Sequence, residues 1–264
     1  MEKLLIVDGN SLANRAFYAL PPLQNQNGEY SNAIYGFVNI LLKFINEQKP
    51  THIAVAFDHS RHTFRTDMYA EYKGTRKGMP DELRFQMPIL KQLLCDMGIK
   101  IYEVDGIEAD DIIGTIAKNS NIKNIVLSGD RDVLQLVDSN TEVWITKKGV
   151  TDVVKVESNN IKELYGCTAS QIIDLKALMG DSSDNIPGVA GIGEKTAKSL
   201  LEKYSTLDNI YQNIAEITGK LKEKLVIDKD KAYLSYKLAT IKTDCDIDVD
   251  ITSIKNPIEI SGRA

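Results

Sequence analysis

The chain is predicted to form an α/β domain, a mostly parallel twisted sheet with helices on both faces, followed by a helical segment. Three observations lead there. Short aliphatic runs alternate with segments of helical period from the amino terminus to Val156, a βαβ series for which a parallel sheet is the default. The runs are apolar throughout rather than alternating, as strands covered on both faces are. After Val156 the strand signal stops and helical stretches follow, broken by a glycine-rich turn. A length of 264 residues fits one large domain or a domain with a smaller appendage, and we expect the division at 1–166 and 167–264.

Leu4-Leu-Ile-Val7 reads as a buried parallel strand that ends in Asp8 and, through Gly9-Asn10-Ser11, feeds a helix over 12–20. Residues 21–30 are polar and carry Pro and Gly, hence a loop. Ser31 can cap the next helix, whose apolar positions Ile34, Phe37, Val38, Leu41, Leu42 and Ile45 keep the 3.6 period. Thr51-His-Ile-Ala-Val-Ala-Phe57 is a second buried strand and also ends in an aspartate, Asp58. A helix over 81–97 stops at Gly98 in the C′ position. The third strand, Ile101-Tyr-Glu-Val104, leads to Glu108-Ala-Asp110-Asp111 in the entry turn of a helix with Ile112, Ile113 and Ile116. The fourth, Asn124-Ile-Val-Leu127, closes on Ser128-Gly129-Asp130-Arg131-Asp132. Residues 141–146 and 151–156, flanking Lys147-Lys-Gly149, are expected to form a last β pair. Helices are indicated over 159–165, 170–179, from the glycine turn to 204, and in short stretches from 207 to 242.

With 43% hydrophobic and 26% charged residues the composition is that of a globular protein. No run of 18 apolar residues occurs and the amino terminus enters a strand directly, so neither a membrane span nor a secretory signal is expected. Cys95, Cys167 and Cys245 are scattered and odd in number, without a Cys-x-x-Cys spacing; a disulfide frame and a zinc site are not expected, and a reducing cytoplasm is. A net charge of −5 argues at first against a nucleic-acid partner. Yet nine of the acids are candidates for one function, and without their nine charges −5 becomes +4. The distribution of charge decides the matter, not its total.

In open parallel sheets ligands bind beyond the carboxyl ends of the strands. Asp8, Asp58, Glu108 and Asp130 stand at or just past such ends, so one sheet edge would gather them. Glu108, Asp110, Asp111, Asp130 and Asp132 place five carboxylates within 25 residues, with Arg131 among them. They would repel one another unless cations sat between them, and hard divalent ions such as Mg²⁺ take carboxylate, water and phosphate oxygens. Taken singly, each acid has a plainer reading. Asp8 and Asp58 suit a turn or helix cap, and Glu108 to Asp111 a first helical turn favoured by the dipole. Asp130 and Asp132 suit an Asx-turn with Arg131, and Asp181 and Asp184 could punctuate a loop. Their shared placement is what raises them above this.

Two further stretches stand out. Residues 59–80 carry Arg61, Arg65, Lys73, Arg76 and Lys77 with Phe64, Tyr69 and Tyr72 between them, a pattern suited to single-stranded nucleic acid and equally to a solvated loop. Gly188-Val-Ala-Gly191-Ile-Gly193-Glu-Lys195-Thr196-Ala197 is not a Walker A loop, since Glu194 stands where lysine is needed, and it lacks dinucleotide-fingerprint spacing. A glycine turn opening onto a helix start suits capture of a backbone phosphate; an αα-hairpin with tight glycines fits the spacing equally.

Together these pieces resemble the 5′-nuclease (flap endonuclease) family, closest to its bacterial, polymerase-linked branch, over nearly the whole chain. The resemblance rests on Leu-Ile-Val-Asp8-Gly-Asn, Ala-Phe-Asp58, Phe64-Arg65 with Tyr72-Lys73-x-x-Arg76, Glu108-Ala-Asp110-Asp111, Ser-Gly-Asp130-Arg-Asp132, and Gly180-Asp181-Ser-Ser-Asp184-Asn-Ile-Pro-Gly-Val-x-Gly-Ile-Gly-Glu-Lys195-Thr-Ala. It implies a PIN-like sheet domain with a helical arch at about 59–80 and a helix-hairpin-helix at about 185–204. It also implies a nuclease with two Mg²⁺ ions, for which Mn²⁺ may substitute. Carried over, Asp8, Asp58, Glu108, Asp110 and Asp111 form a first metal group, and Asp130, Asp132, Asp181 and Asp184 a second. Lys73 and Arg76 correspond to arch residues at the scissile phosphate, with Arg65 a further substrate contact and Tyr72 placed to stack on a base. Gly188, Gly191, Gly193, Lys195 and Thr196 correspond to the duplex-holding hairpin, where relatives bind K⁺. The partner implied is DNA with a 5′ flap or end, or an RNA primer on DNA, and the family acts in primer removal and repair. A monomer, a linked polymerase domain in a longer protein and a bacterial cytoplasm are implied with it.

Two departures qualify the match. Thr66 stands where the family often has histidine, and the chain stops at Ser261-Gly-Arg-Ala264, earlier than a whole domain of this type would; a fragment of a longer polymerase is the expectation. Rival readings fare less well. A phosphatase with Asp8 as nucleophile wants an aspartate where Asn10 stands. A PIN-type ribonuclease would not carry the glycine hairpin, and a non-catalytic DNA-binding module would not need all nine acids.

Overall fold

The computed structural model describes residues 2–147 and 152–258. Strands β1 (Lys3–Asp8), β2 (His52–Ala56), β3 (Lys100–Tyr102), β4 (Lys123–Ser128), β5 (Thr141–Thr146) and β6 (Val153–Val156) form one sheet in the order β3-β2-β1-β4-β5-β6. The first five are parallel and β6 runs antiparallel to β5. Of the expected last β pair, residues 148–151 lie outside the described residues. Strand order reverses between β1 and β4, the topological switch point at which such sheets bind ligands. Register brings the carboxyl ends level there: Val7 lies opposite both Val55 and Leu127, so Asp8 and Ser128 are next in line on neighbouring strands.

Both faces of the central strands are covered. Leu5, Val7, Ile53, Val55, Ile125 and Leu127 form a core with helices α1 (Gly9–Ala19), α2 (Asn32–Gln48) and, after the short α3 (Phe64–Met68), α4 (Asp81–Asp96). The alternate residues Leu4, Ile6, Ala54 and Val126 are equally buried, and α5 (Ala109–Asn119) packs on β1 and β2. The first helix starts three residues earlier than the sequence pattern indicates. Asp8 is its N-cap, with a side chain that accepts the Ser11 N–H. Ser31 occupies the N-cap position of α2 but makes no side-chain capping bond. Gln86 on α4 does that work from outside the helix, its Oε1 accepting the N–H groups of Ala33 and Ile34 at 2.8 and 3.3 Å.

The remaining helices are α6 (Ile161–Tyr165), α7 (Gln171–Met179), α8 (Glu194–Tyr204), α9 (Leu207–Gln212), α10 (Gly219–Ile227) and α11 (Lys229–Ala239). Ala177, Leu178, Val189, Ile192, Leu200, Leu201, Ile210 and Leu225 make their common core. No helix among the described residues is long and apolar enough to cross a membrane, and all three cysteines are free.

By contact the chain divides into two units, each built from more than one stretch of chain. One comprises Met1–Arg61, Gly78–Glu157 and Lys242–Ala264; the other comprises His62–Lys77 and Ser158–Ile241. In the first, the carboxyl-terminal segment returns to the sheet: Lys242 N–H donates to Asp111, Asn256 N–H donates to Thr51 O, and Lys255 bridges to His52. In the second, the basic and aromatic segment 62–77 is fastened to helical elements by hydrogen bonds described below. Neither return is signalled by local periodicity, because each depends on bonds between residues more than 100 positions apart.

Gly9 sits where α1 passes the buried Phe57 ring, and a Cβ there would lie 2.4 Å from it. Gly9→Ala is expected to lower stability by about 1–3 kcal/mol, as read by urea unfolding; an unchanged midpoint would show that the ring has room to turn aside.

Candidate metal centre and nucleic-acid interface

At the switch point of the sheet unit two runs of hydrogen bonds hold acids in place. Asp8, 4% exposed, accepts the Ser11 N–H on Oδ1 at 2.9 Å and the Ser128 hydroxyl on Oδ2 at 2.6 Å. Ser128 Oγ in turn accepts the Asp130 N–H at 2.9 Å, and Asp130 Oδ1 accepts the Asp132 N–H at 2.9 Å. Across β1, Asn10 Oδ1 accepts the Asp58 N–H at 3.0 Å, and Asp58 Oδ1 accepts the Ala109 N–H at 2.8 Å, which ties the end of β2 to the turn carrying Glu108 and Asp110. Asp8, Asp58, Glu108, Asp110, Asp130 and Asp132 are thus brought to one edge. Asn10, Ser11 and Ser128 hold them there, and their only sequence signal is position: they directly follow, or close, a strand that ends at the site.

The electrostatics of this edge favour a cation. Burial pushes the Asp8 carboxyl up to about 7 against the opposing pull of the Ser128 and Ser11 hydrogen bonds, and the charges of Asp58 and Asp130 push it further the same way. A positive ion would relieve both causes. The donors are carboxylate oxygens, which suit Mg²⁺, Mn²⁺ or Ca²⁺ rather than the softer ions. Among the described residues no three acid, histidine or cysteine side chains close on one point as a cage.

Asp111 does not fit the ligand role expected of it. Its side chain is fully buried, and Oδ1 accepts the Lys242 N–H at 2.8 Å, pinning the returning segment. The spacing that put it on one helix face with Glu108 carried no information about residue 242.

In the helical unit the two predicted metal ligands hold basic partners. Lys176 Nζ lies 2.6 Å from Asp181 Oδ2, and Ser183 donates to Asp181 Oδ1 through both its N–H and its hydroxyl. Burial alone would raise this carboxyl, but the Lys176 and Ser183 bonds outweigh it and bring Asp181 down to about 2. Buried Asp184 pairs with the Arg76 guanidinium. Around it, Lys73 N–H donates to Asp184 O at 2.8 Å, Asn185 Nδ2 to Glu71 O at 2.8 Å, and Arg76 Nε to Ser183 O at 3.4 Å. Residues 71–76 are clasped to the loop 183–185, with Lys73 and Asn185 both in the left-handed region at φ 53° and 56°.

Two expected substrate contacts are structural instead. Arg65 is 3% exposed; its Nε and Nη2 donate to Leu238 O and Thr240 O at 2.8 and 2.7 Å, closing the carboxyl end of α11. Tyr72 is 6% exposed in a cluster with Ile186, Leu238 and Ala239, so its ring has no face to offer a base. A guanidinium and a phenol ring suit nucleic acid and protein interior alike, and residue type could not separate the two.

The glycine turn is an αα-connection with tight geometry. Gly188 has φ 59°, and a Cβ would fall 2.2 Å from Gly180 N; its N–H donates to Ser235 Oγ at 2.9 Å. Gly191, at φ 73°, offers its carbonyl to Lys224 Nζ at 2.9 Å. Gly193 is the N-cap of α8 without a side-chain capping bond, and exposed Lys195 and half-buried Thr196 follow in the first turn. An uncapped helix start beside lysines is the arrangement that takes a phosphate. Lys224 and Ser235 were not foreseen, since nothing local in the sequence ties them to the turn.

With this geometry in hand, comparison with known proteins is informative. The family model described as 5′-3′ exonuclease, N-terminal resolvase-like domain, matches residues 3–166, and that described as 5′-3′ exonuclease, C-terminal SAM fold, matches residues 167–259. Curated relatives include the DNA polymerase I of Bacillus subtilis (strain 168), 50% identical over 258 residues that cover 96% of this chain and 29% of the relative. The DNA polymerase I of Caldicellulosiruptor bescii is 48% identical over 260 residues, 96% of this chain and 30% of the relative. The chain therefore spans less than a third of the length of these relatives. Among solved structures, T5 5′-exonuclease with bound divalent metal ions (zinc) has a TM-score of 0.75 at 23% identity, over 92% of this chain and 90% of that one. The catalytic core of Rad2 in complex with DNA substrate has a TM-score of 0.61 at 19% identity, over 96% and 82%. Both likenesses establish the fold.

Two outcomes follow from the corrected assignments. Arg65→Met should cost about 3–5 kcal/mol by taking its donors from the buried Leu238 and the half-buried Thr240 carbonyls, while Lys195→Ala should leave stability within about 0.5 kcal/mol; chemical unfolding of the two variants distinguishes a structural arginine from an exposed lysine. Because the Asp181 carboxyl is depressed from 3.8 to about 2, its contribution is complete above about pH 4 and is lost as pH falls from there through 2. In Lys176→Met the unfolding free energy should vary less with pH across that window; an unchanged pH dependence would remove Lys176 as the cause.

Proposed function

The chain belongs to the 5′-3′ exonuclease family, and from that premise we propose that it hydrolyses DNA phosphodiester bonds at the junction of duplex and a 5′ single strand or flap, using two divalent metal ions. The observation that carries this reading is the buried Asp8 at the switch point, tied to Asp130 and beside Asp58, a concentration of acidic groups that a bound cation would relieve.

Asp8, Asp58, Glu108, Asp110, Asp130 and Asp132 are the residues we assign to hold Mg²⁺, for which Mn²⁺ can substitute on the same donor chemistry. When bound, such ions lower the pKa of a water and stabilise both the attacking and the departing oxygen. Asp8 is oriented by Ser11 and Ser128 and Asp130 by the Asp132 N–H, and neither carboxylate itself attacks. Asp181 and Asp184, in the helical unit, are assigned as ligands as well, and each holds a base in the DNA-free chain. Arg76, half exposed at its pair with Asp184, and Lys73 beside it are placed to offer positive charge to a phosphate, where charge developing on the non-bridging oxygens is stabilised. Lys195 and the start of α8 take a duplex phosphate without reading sequence. K⁺ at the glycine turn is the weaker fit: Val189 O already accepts the Ile192 N–H and Gly191 O the ammonium of Lys224.

In a longer protein with a linked polymerase this activity would serve primer removal and repair, on DNA or on an RNA primer paired to DNA. A monomer acting in the cytoplasm is sufficient for it.

The decisive assay is cleavage of a 5′-labelled flap DNA by the chain with Mg²⁺ and with EDTA, beside linear single strands. Magnesium-dependent release of a short product from the flap is expected. Asp130→Ala should slow it by about hundredfold or more while flap affinity stays near wild type. Tight flap binding without cleavage by the unmodified chain would instead support a DNA-binding module.

A further inference from the structure

We propose that Ser128 is a positioning residue for the metal-binding acids: its buried hydroxyl fixes Asp8 and Asp130 relative to each other, and divalent-metal affinity depends on that bond. This rests on the metal reading above and deepens it. Ser128 is the last residue of β4, wholly buried, and beside the end of β1. A hydroxyl has one proton to give. Its oxygen already accepts the Asp130 N–H at 2.9 Å, which leaves the hydroxyl proton to be given to Asp8 Oδ2 at 2.6 Å, within the range of a charge-assisted bond.

The result is a carboxylate held from both oxygens by two different elements, Oδ1 by the first turn of α1 and Oδ2 by the end of β4. Each oxygen has about two acceptor directions, so one on each stays open for an ion or its water. The loop beyond Ser128 has no slack to compensate for a lost bond. Gly129 N–H donates to Ser11 Oγ at 2.8 Å, and a Cβ at Gly129 would lie 2.8 Å from Ser11 Oγ and 2.9 Å from Thr146 Oγ1. One side chain thus sets the spacing of two acids that lie 122 positions apart in the chain.

The test is Mn²⁺ binding to the full 264-residue chain without DNA, followed by electron paramagnetic resonance of free Mn²⁺, with thermal melting in EDTA to verify the fold. Partners that orient metal ligands typically contribute tenfold to hundredfold in affinity. Ser128→Ala is expected to weaken Mn²⁺ binding by about tenfold or more, Ser128→Cys, similar in volume but a poorer donor, to do likewise, and Ser128→Thr, which keeps the hydroxyl, to restore most of the affinity. Wild-type Mn²⁺ affinity in the Ala or Cys variant would overturn the proposal, as would a folded Thr variant no better than Ala. Failure of the unmodified chain to bind Mn²⁺ at all would overturn the metal reading itself and this inference with it.

Discussion

Like charges gathered at the end of a buried strand are the constraint on which this molecule's architecture turns. Asp8 ends the central strand at the one place in the sheet where strand order reverses, so it must be both buried and close to whatever the neighbouring strands carry at the same level. Hydrogen-bond donors at Ser11 and Ser128 soften the burial but do not cancel it, and Asp58 and Asp130 add to the cost of ionisation. A cation bound there would offset the burial and the neighbouring charges, and the surrounding hydrogen bonds hold the acids in place.

The helical unit meets the same difficulty differently. Asp181 and Asp184 are also largely withdrawn from water, yet Lys176 and Arg76 neutralise them from within the chain. A buried carboxylate is tolerable when paired, and the Arg76–Asp184 pair draws residues 71–76 against this loop. The basic segment that the sequence marks as an arm for nucleic acid is for that reason partly an element of protein structure: Arg65 closes α11, Tyr72 fills a core, and Lys73 and Arg76 remain at its edge.

These distinctions show what was legible in the sequence. Largely aliphatic runs identified β1, β2 and β4, since burial on both faces leaves no other pattern, whereas β3 is short and partly exposed; acids standing just past the runs could be placed on one edge from topology alone. The same reasoning could not say that Asp111 turns towards Lys242 or that Arg65 turns towards Leu238 and Thr240, because the partner in each case is more than 100 residues away and is a backbone group that any residue type supplies. Ser31 reads as a helix cap, and was displaced from that role by Gln86, again a long-range donor-acceptor match invisible to local rules. The make-up of the two contact units was out of reach for the same reason. Segments 62–77 and 242–258 are assigned by a few distant hydrogen bonds and not by any periodicity of their own.

The pairing of Arg76 with Asp184 has a consequence for how charge is deployed. A net charge of −5 is unfavourable for approach to DNA, and an arginine already satisfied by a carboxylate attracts a phosphate less than a bare one does. A phosphate dianion or diester can displace the carboxylate only if the freed Asp184 finds another cation, since a buried charge left alone costs several kcal/mol. Metal binding and phosphate binding would then favour each other through one exchange: an ion that takes Asp184 releases Arg76, and a phosphate that takes Arg76 releases Asp184. Such reciprocity is a thermodynamic necessity wherever two ligands compete with the two halves of one ion pair, and it makes the negative total charge less of an obstacle, because bound cations would neutralise acids that contribute to it.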